Sequence, residues 1–192
     1  MPSRKNSHPI IFIDRDGVIN RDPIGDYIKE WKNFVFLPGV LKALKKLTLS
    51  KYKIIIISNQ AGIGDGVFSK RALDGITKKM LTQMKRNGIK ISGIYYCLHG
   101  KYAGCKCRKP EIGLFLRAAR KFKISKPHTF FIGDKVTDML AGKRFGIQTA
   151  FVLTGHGKYD RKLLTRVTKP DLMTRDLLSA VKKIIKLQSK NR

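Results

Sequence analysis

Short apolar segments alternate with amphipathic segments along this chain. Strands are predicted for five apolar segments, residues 10–13, 52–57, 94–97, 129–132 and 148–153. Helices are predicted for five segments with apolar positions three or four residues apart, residues 40–47, 69–87, 111–122, 136–145 and 177–187. Strands that alternate with helices predict an α/β fold, a single doubly wound parallel sheet with helices on both faces.

One sheet accounts for the whole chain in this interpretation. Residues 52–57 are too uniformly apolar for a half-exposed strand, so we expect them to be interior and parallel. No repeat and no Pro/Gly/Ser-rich linker divides the sequence, which predicts a single domain over residues 1–192. Its core would span about residues 8–155, followed by a basic helical segment, 156–192. The intervals between the strands leave no room for a separate cap domain.

Carboxylates follow two of the predicted strands. Asp14 and Asp16 come directly after the first strand, and Asp134 and Asp138 follow the fourth. Sites in such sheets lie beyond the carboxyl ends of the strands, where these acids would repel one another unless a cation is bound. The oxygen-rich set suits Mg²⁺. The alternative, a turn at Asp16 and a helix cap at Asp134, explains each segment alone but makes their shared position a coincidence.

A second cluster combines thiols with an imidazole. Cys97, His99, Cys105 and Cys107 lie within eleven residues and supply the four N and S ligands of a tetrahedral structural Zn²⁺. The alternative is three free thiols in a Lys-rich loop, which would be exposed to oxidation. We therefore predict a loop held by zinc, directly before Arg108 and Lys109.

The net charge of +28 is unusual, and it is not confined to a tail. Residues 1–96 carry 18 basic and 7 acidic residues, and residues 97–192 carry 23 and 6. Nucleic-acid binding is one interpretation, but the basic stretch 156–192 contains a single aromatic residue, Tyr159, so we favour a solvated basic surface. From the sequence we expect neither a membrane-spanning segment nor a secretory leader. Its few clustered cysteines predict a cytoplasmic protein, and nothing in it requires a partner subunit, so we expect a monomer.

Four segments together resemble the motifs of the haloacid dehalogenase-like phosphatases, in the order of that family. They are Asp14-Arg-Asp-Gly-Val-Ile-Asn20, Ile57-Ser-Asn-Gln-Ala-Gly-Ile-Gly64, Cys107-Arg-Lys-Pro110 and Gly133-Asp-Lys-Val-Thr-Asp138. Within the family the chain is most similar to the D-glycero-D-manno-heptose 1,7-bisphosphate phosphatases, notably in the segment Gly93–His99. The histidinol-phosphate phosphatases share this layout, including the zinc loop.

The resemblance implies a Mg²⁺-dependent phosphoric monoester hydrolase acting on a sugar phosphate through an aspartyl-phosphate. Asp14 would be the nucleophile and Asp16 the general acid and base. Mg²⁺ would bind Asp14, the Asp16 carbonyl and Asp134, with Asp138 and Lys135 behind them. The implied substrate contacts are Ser58, Asn59, Gln60, Arg108, Lys109, Asn20 and Asp22.

One residue departs from the family pattern. Asp65 stands where the family often has a basic residue, and an acid there is expected to repel a second substrate phosphate. Two alternative enzyme functions are a histidinol-phosphate phosphatase and a polynucleotide 3′-phosphatase, and the net charge is an argument for the latter. A non-enzymatic scaffold is disfavoured by the intact set of carboxylates.

Overall fold

A computed structural model describes residues 9–190 of the chain. Six strands form within this range: β1 (Ile10–Ile13), β2 (Lys53–Asn59), β3 (Ile91–Cys97), β4 (Phe130–Gly133), β5 (Gln148–Val152) and β6 (Leu172–Thr174). The helices are α1 (Val40–Leu49), α2 (Ala61–Gly64), α3 (Lys70–Arg86), α4 (Gly113–Ala119), α5 (Val136–Phe145), α6 (Gly157–Asp160) and α7 (Leu177–Lys190). Residues 1–8, with the expected start of the core at residue 8 and the absence of a leader, lie outside the described part.

All six strands belong to one parallel sheet with the order β3-β2-β1-β4-β5-β6. The order reverses between β1 and β4, the two strands from which the chain winds outward in opposite directions. Parallel sheets with this order have a crevice at the carboxyl ends of the two strands at the reversal. The predicted fold class, a doubly wound α/β sheet, is confirmed.

Each face of the sheet has its own apolar core. On one face, Ile11, Ile13, Ile54 and Ile56 pack with buried residues of α1, α3 and α7. On the other face, Phe12 and its neighbours pack with α4 and α5. Because β1 is buried on both sides, its carboxyl end is held rigidly, and so is the position of the residue that follows it.

The helices begin and end where local chemistry favours it. The hydroxyl of Ser69 accepts the N–H of Ala72 at the start of α3, at 3.1 Å. Gly146, with φ +81°, follows the last residue of α5, a conformation that glycine adopts without steric cost. These ends agree with the predicted helices to within one or two residues, whereas α4 is shorter than the predicted 111–122.

The segment after residue 155 contributes to the sheet, which the sequence did not predict. Residues 172–174 form the edge strand β6, which pairs with β5, and α7 then packs on α1. Asp171 fixes this strand, because its Oδ2 accepts the backbone N–H of Thr149 at 2.7 Å and the hydroxyl of Thr149 at 2.9 Å. Among residues 9–190, no helix is long and apolar enough to cross a membrane.

Candidate active site

The polar residues that follow β1, β2 and β4 meet in one cleft of about 730 Å³. Asp14 follows β1, Ser58 and Asn59 end β2, and Lys135 and Asp138 follow β4. Asp134, the first residue after β4, is fully buried and is not among the residues that line the cleft. The amide N–H of Asp14 donates to the carbonyl of Ile132 in β4 at 3.0 Å, which fixes the first acid beside the second. The convergence of these segments at the reversal point is what the sequence pattern predicted.

Three buried carboxylates form the centre of the site. Oxygen atoms of Asp14, Asp134 and Asp138 lie within 4.8 Å of one another. Asp134 is fully buried, and its Oδ2 accepts the backbone N–H of His156 at 2.7 Å, while its Oδ1 has no hydrogen-bond partner among residues 9–190. A buried oxygen that carries charge and lacks a donor is costly unless a cation binds it. The residues present therefore fit a hard divalent cation such as Mg²⁺.

Lys109 is the cation that this chain itself places in the cluster. Its buried Nζ lies 2.9 Å from Oδ1 of Asp14 and 2.6 Å from Oδ1 of Asp138. Asn59 fixes the backbone of Lys109 with two hydrogen bonds, donating to its carbonyl at 3.1 Å and accepting its N–H at 3.0 Å. Asn59, which also lines the cleft, thus aligns the end of β2 with the loop that carries Lys109.

The surroundings of the cluster raise the pKa of two of its acids and that of its lysine. Burial raises the pKa of Asp14 to about 6, although Lys109 opposes the shift. Burial also raises the pKa of Asp134 well above its usual value, and the charges of Asp138 and Asp14 add to that rise. Burial disfavours charge on Lys109, yet Asp138 and Asp14 raise its pKa. A second positive charge would therefore bind most favourably beside Asp14 and Asp134, where the acids exceed the cations.

Asp16 is held by three side chains. Arg15 donates to its Oδ1 from Nε at 3.1 Å, Asn20 donates to the same oxygen at 2.9 Å, and Gln60 donates to Oδ2 at 2.8 Å. Burial opposes charge on this carboxylate, but the Arg15 guanidinium and these hydrogen bonds keep its pKa below the usual value. Asn20 was expected at the substrate mouth, and it is instead fully buried beneath Asp16 and does not line the cleft.

Two further residues that the sequence assigned to the substrate do line the cleft. Ser58 is buried, and its Oγ accepts from Gln60 Nε2 at 3.0 Å. Arg108 is partly buried and lines the cleft, and its buried Nη1 has no hydrogen-bond partner within the described residues.

At the rim of the cleft, Asp22 and Lys135, which the sequence analysis assigned, meet His156, which it did not assign. Oδ2 of Asp22 accepts Lys135 Nζ at 3.1 Å and lies 3.3 Å from His156 Nε2. Burial opposes charge on Lys135, but Asp22, Asp134 and Asp14 together raise its pKa. The position of His156 just after β5 was the only sequence signal for it.

The cysteine and histidine residues also come together. His99 Nδ1 lies 3.2 Å from Cys107 Sγ, and Cys97 Sγ lies 3.3 Å from Cys107 Sγ and 3.6 Å from Cys105 Sγ. A tetrahedron with metal–sulfur bonds of about 2.3 Å has edges of roughly 3.8 Å, so this set is close to the geometry of a bound zinc ion. The cluster therefore fits Zn²⁺, and the segment from Cys97 to Cys107 is called the zinc loop below.

Comparisons with known proteins agree with this geometry. Residues 106–180 match the HAD-hydrolase-like family, where HAD stands for haloacid dehalogenase. The chain is 40% identical over 152 residues to the D-glycero-β-D-manno-heptose-1,7-bisphosphate 7-phosphatase of Pasteurella multocida, covering 76% of this chain and 82% of that protein. It is 38% identical over 130 residues to the corresponding α-anomer 7-phosphatase of Mycobacterium bovis, covering 67% of this chain and 68% of the relative.

A solved structure has a similar fold. The D,D-heptose 1,7-bisphosphate phosphatase of B. bronchiseptica, determined with magnesium and phosphate, superimposes with a TM-score of 0.88 at 28% identity. The alignment covers 93% of this chain and 99% of that one. On this similarity of sequence, fold and motif order, the chain belongs to the haloacid dehalogenase-like hydrolases, in the group of phosphatases named for heptose 1,7-bisphosphate.

Proposed function

We propose that the protein is a Mg²⁺-dependent phosphatase that removes the C7 phosphate of D-glycero-D-manno-heptose 1,7-bisphosphate. The observation that carries the proposal is the convergence of Asp14, Asp134 and Asp138 at the strand reversal, with Lys109 between Asp14 and Asp138. The substrate comes from the names of the relatives, which include 7-phosphatases for both the β and the α anomer.

Asp14 is the proposed nucleophile. It lies at the rigid end of β1, lines the cleft and is paired with Lys109, which offsets its charge without covering it. Attack of a carboxylate oxygen on phosphorus forms an aspartyl-phosphate and expels the sugar C7 alkoxide. Ser58 and Lys109 then stabilise the phosphoryl oxygens, and Asp138 keeps Lys109 in place. Asp14, Asp134 and the Asp16 carbonyl would hold the Mg²⁺, which would supply further positive charge to the transferring group.

Asp16 is the proposed acid and base. It lines the cleft two residues after the nucleophile, so it can give a proton to the leaving alkoxide and later take one from the water that hydrolyses the aspartyl-phosphate. Arg15, Asn20 and Gln60 determine the orientation of its carboxylate.

The zinc loop is proposed to be structural. Its four ligands leave no open coordination position, and the last of them, Cys107, directly precedes Arg108 and Lys109. A bound zinc would therefore fix the start of the segment that brings both cations to the cleft. Four such ligands with reduced thiols are consistent with the cytoplasm as the proposed compartment.

A phosphate-release assay tests the function. The substrate panel contains both anomers of the heptose 1,7-bisphosphate, histidinol phosphate and a 3′-phosphorylated oligonucleotide, each with and without Mg²⁺. We expect the highest kcat/KM for one of the bisphosphates and loss of turnover in Asp14→Asn, with Asp74→Asn, on the exposed face of α3, as the matched control. Equal rates on all substrates, or an active Asp14→Asn variant, would contradict the proposal.

A further inference from the structure

The zinc loop packs directly against the loop that follows β2. A Cβ on Gly64 would lie 2.1 Å from the backbone nitrogen of Gly100 and 2.7 Å from the carbonyl of Leu98, so the two backbones approach as closely as glycine permits. This contact places the next residue of the zinc loop, Lys101, at the edge of the cleft, which it lines together with the catalytic acids.

Asp65 fixes this contact and does not face the cleft. Its Oδ1 accepts the backbone N–H of Lys101 at 3.1 Å, and it lies against Gly100, where a Cβ would come within 2.3 Å of that oxygen. Asp65 is not among the residues that line the cleft. From the sequence we expected Asp65 to repel a second substrate phosphate. In the structure its carboxylate is directed to the backbone of the zinc loop instead of to the cleft.

The charges that line the cleft away from Asp14, Asp16 and Asp138 do not balance. Three further acids line the cleft, and each has a basic partner: Asp22 with Lys135, Asp26 with Lys29 and Glu111 with Arg144. Two cleft-lining cations, Lys101 and Arg108, have no acidic partner within residues 9–190. Both belong to the zinc loop or directly follow it. Uncompensated positive charge at the mouth attracts an anionic group of the substrate.

We propose that Lys101 binds the second, non-reacting phosphate of a sugar bisphosphate, and that Asp65 is the residue that positions Lys101. The proposal rests on the function proposed above and assigns the specificity for a bisphosphate to the zinc loop. Lys101 supplies a point charge on a flexible stem, and its backbone is anchored through Asp65 and through the close contact of Gly64 with Gly100.

The test compares the heptose 1,7-bisphosphate with the heptose 7-phosphate, which lacks the distal group. The preference is the ratio of the two kcat/KM values. Lys101→Met lowers this preference about tenfold, the size of one charge-assisted contact to phosphate, mainly through KM for the bisphosphate. Lys106→Met is the matched control, because Lys106 is an exposed lysine of the same loop that does not line the cleft. The Lys106→Met variant is expected to keep the substrate preference of the wild type.

Asp65 is tested by two substitutions with opposite expectations. Asp65→Asn keeps an acceptor for the Lys101 N–H and retains the preference, whereas Asp65→Ala loses the acceptor and lowers the preference. If Asp65 acted by repulsion, both variants would raise the preference, and that result would overturn the positioning role. A wild-type enzyme that hydrolyses both substrates equally well would overturn the assignment of Lys101 alone. Turnover of neither substrate would overturn the proposed function and this inference with it.

Discussion

Gly155 packs directly against Asp134 and against the backbone of Gly17. Adding a methyl group at Gly155 tests how tightly the acids of the site are packed. With φ +53°, Gly155 lies in the left-handed region, and a Cβ would stand 2.2 Å from Asp134 Oδ2 and 2.4 Å from the Cα of Gly17. Gly155→Ala must therefore displace Asp134, the backbone of Gly17, or both. Gly88→Ala is the matched control, because Gly88 has φ +71° and nothing within 4 Å of its ideal Cβ.

The magnitude follows from two contributions. An L-residue in the left-handed region costs about 1–2 kcal/mol, which applies to both variants. Moving Asp134 from the N–H of His156, 2.7 Å away, removes a hydrogen bond to a charged group worth about 1.5–3 kcal/mol. We expect Gly155→Ala to lower the free energy of unfolding by about 2.5–5 kcal/mol and Gly88→Ala by about 1–2 kcal/mol.

Urea denaturation of both variants measures the difference, with and without Mg²⁺. The activity assay adds a second measurement, because a displaced Asp134 should raise the Mg²⁺ concentration for half-maximal activity about 10–100-fold, as loss of a supporting contact to a metal ligand does. Gly88→Ala should leave that concentration unchanged. Equal unfolding free energies for the two variants would refute the reasoning, because only the close approach to Asp134 and Gly17 distinguishes them.

Two further predictions concern the zinc loop and the sheet edge. Purified protein should hold about one zinc per chain, and Cys105→Ser should lose it while the exposed-site control Lys106→Ala keeps it, as elemental analysis can show; metal-free wild type from zinc-replete medium would contradict this. Asp171→Ala should lower the free energy of unfolding by about 1–3 kcal/mol, because the N–H of Thr149 loses its acceptor, and should leave kcat unchanged. A large loss of kcat would show that the edge strand affects the site.

The interior strands were predictable because each is a short run of apolar residues with no competing pattern. Ile54 to Ile57 are fully buried, and such a run has no stable place except inside a parallel sheet. The acids at the strand ends followed from topology, since the carboxyl ends of parallel strands share an edge. The strand β6 was missed because it has three residues, and its pairing depends on Asp171 and Thr149, which are 22 positions apart.

The residues that orient the catalytic acids were less predictable from the sequence than the acids themselves. Arg15 is almost completely buried, which is unusual for arginine. Its contacts with Asp16, with Gln60, 45 residues away, and with the ring of Tyr96 explain this burial. Asn20 looks like a loop residue in the sequence, but the chain turns back after β1 and brings its amide under Asp16. A local pattern contains no information on such long-range hydrogen bonds, so these two supporting roles required coordinates.

The contact of Gly155 with Gly17, and of His156 with Asp134, has a consequence for how the protein is made. The first acid is near the start of the chain, whereas the backbone that fixes its neighbour Asp134 is made about 140 residues later. During synthesis on a ribosome, the nucleophile is therefore present long before the edge around it can close. The growing chain would acquire its catalytic geometry only after residue 156 has emerged.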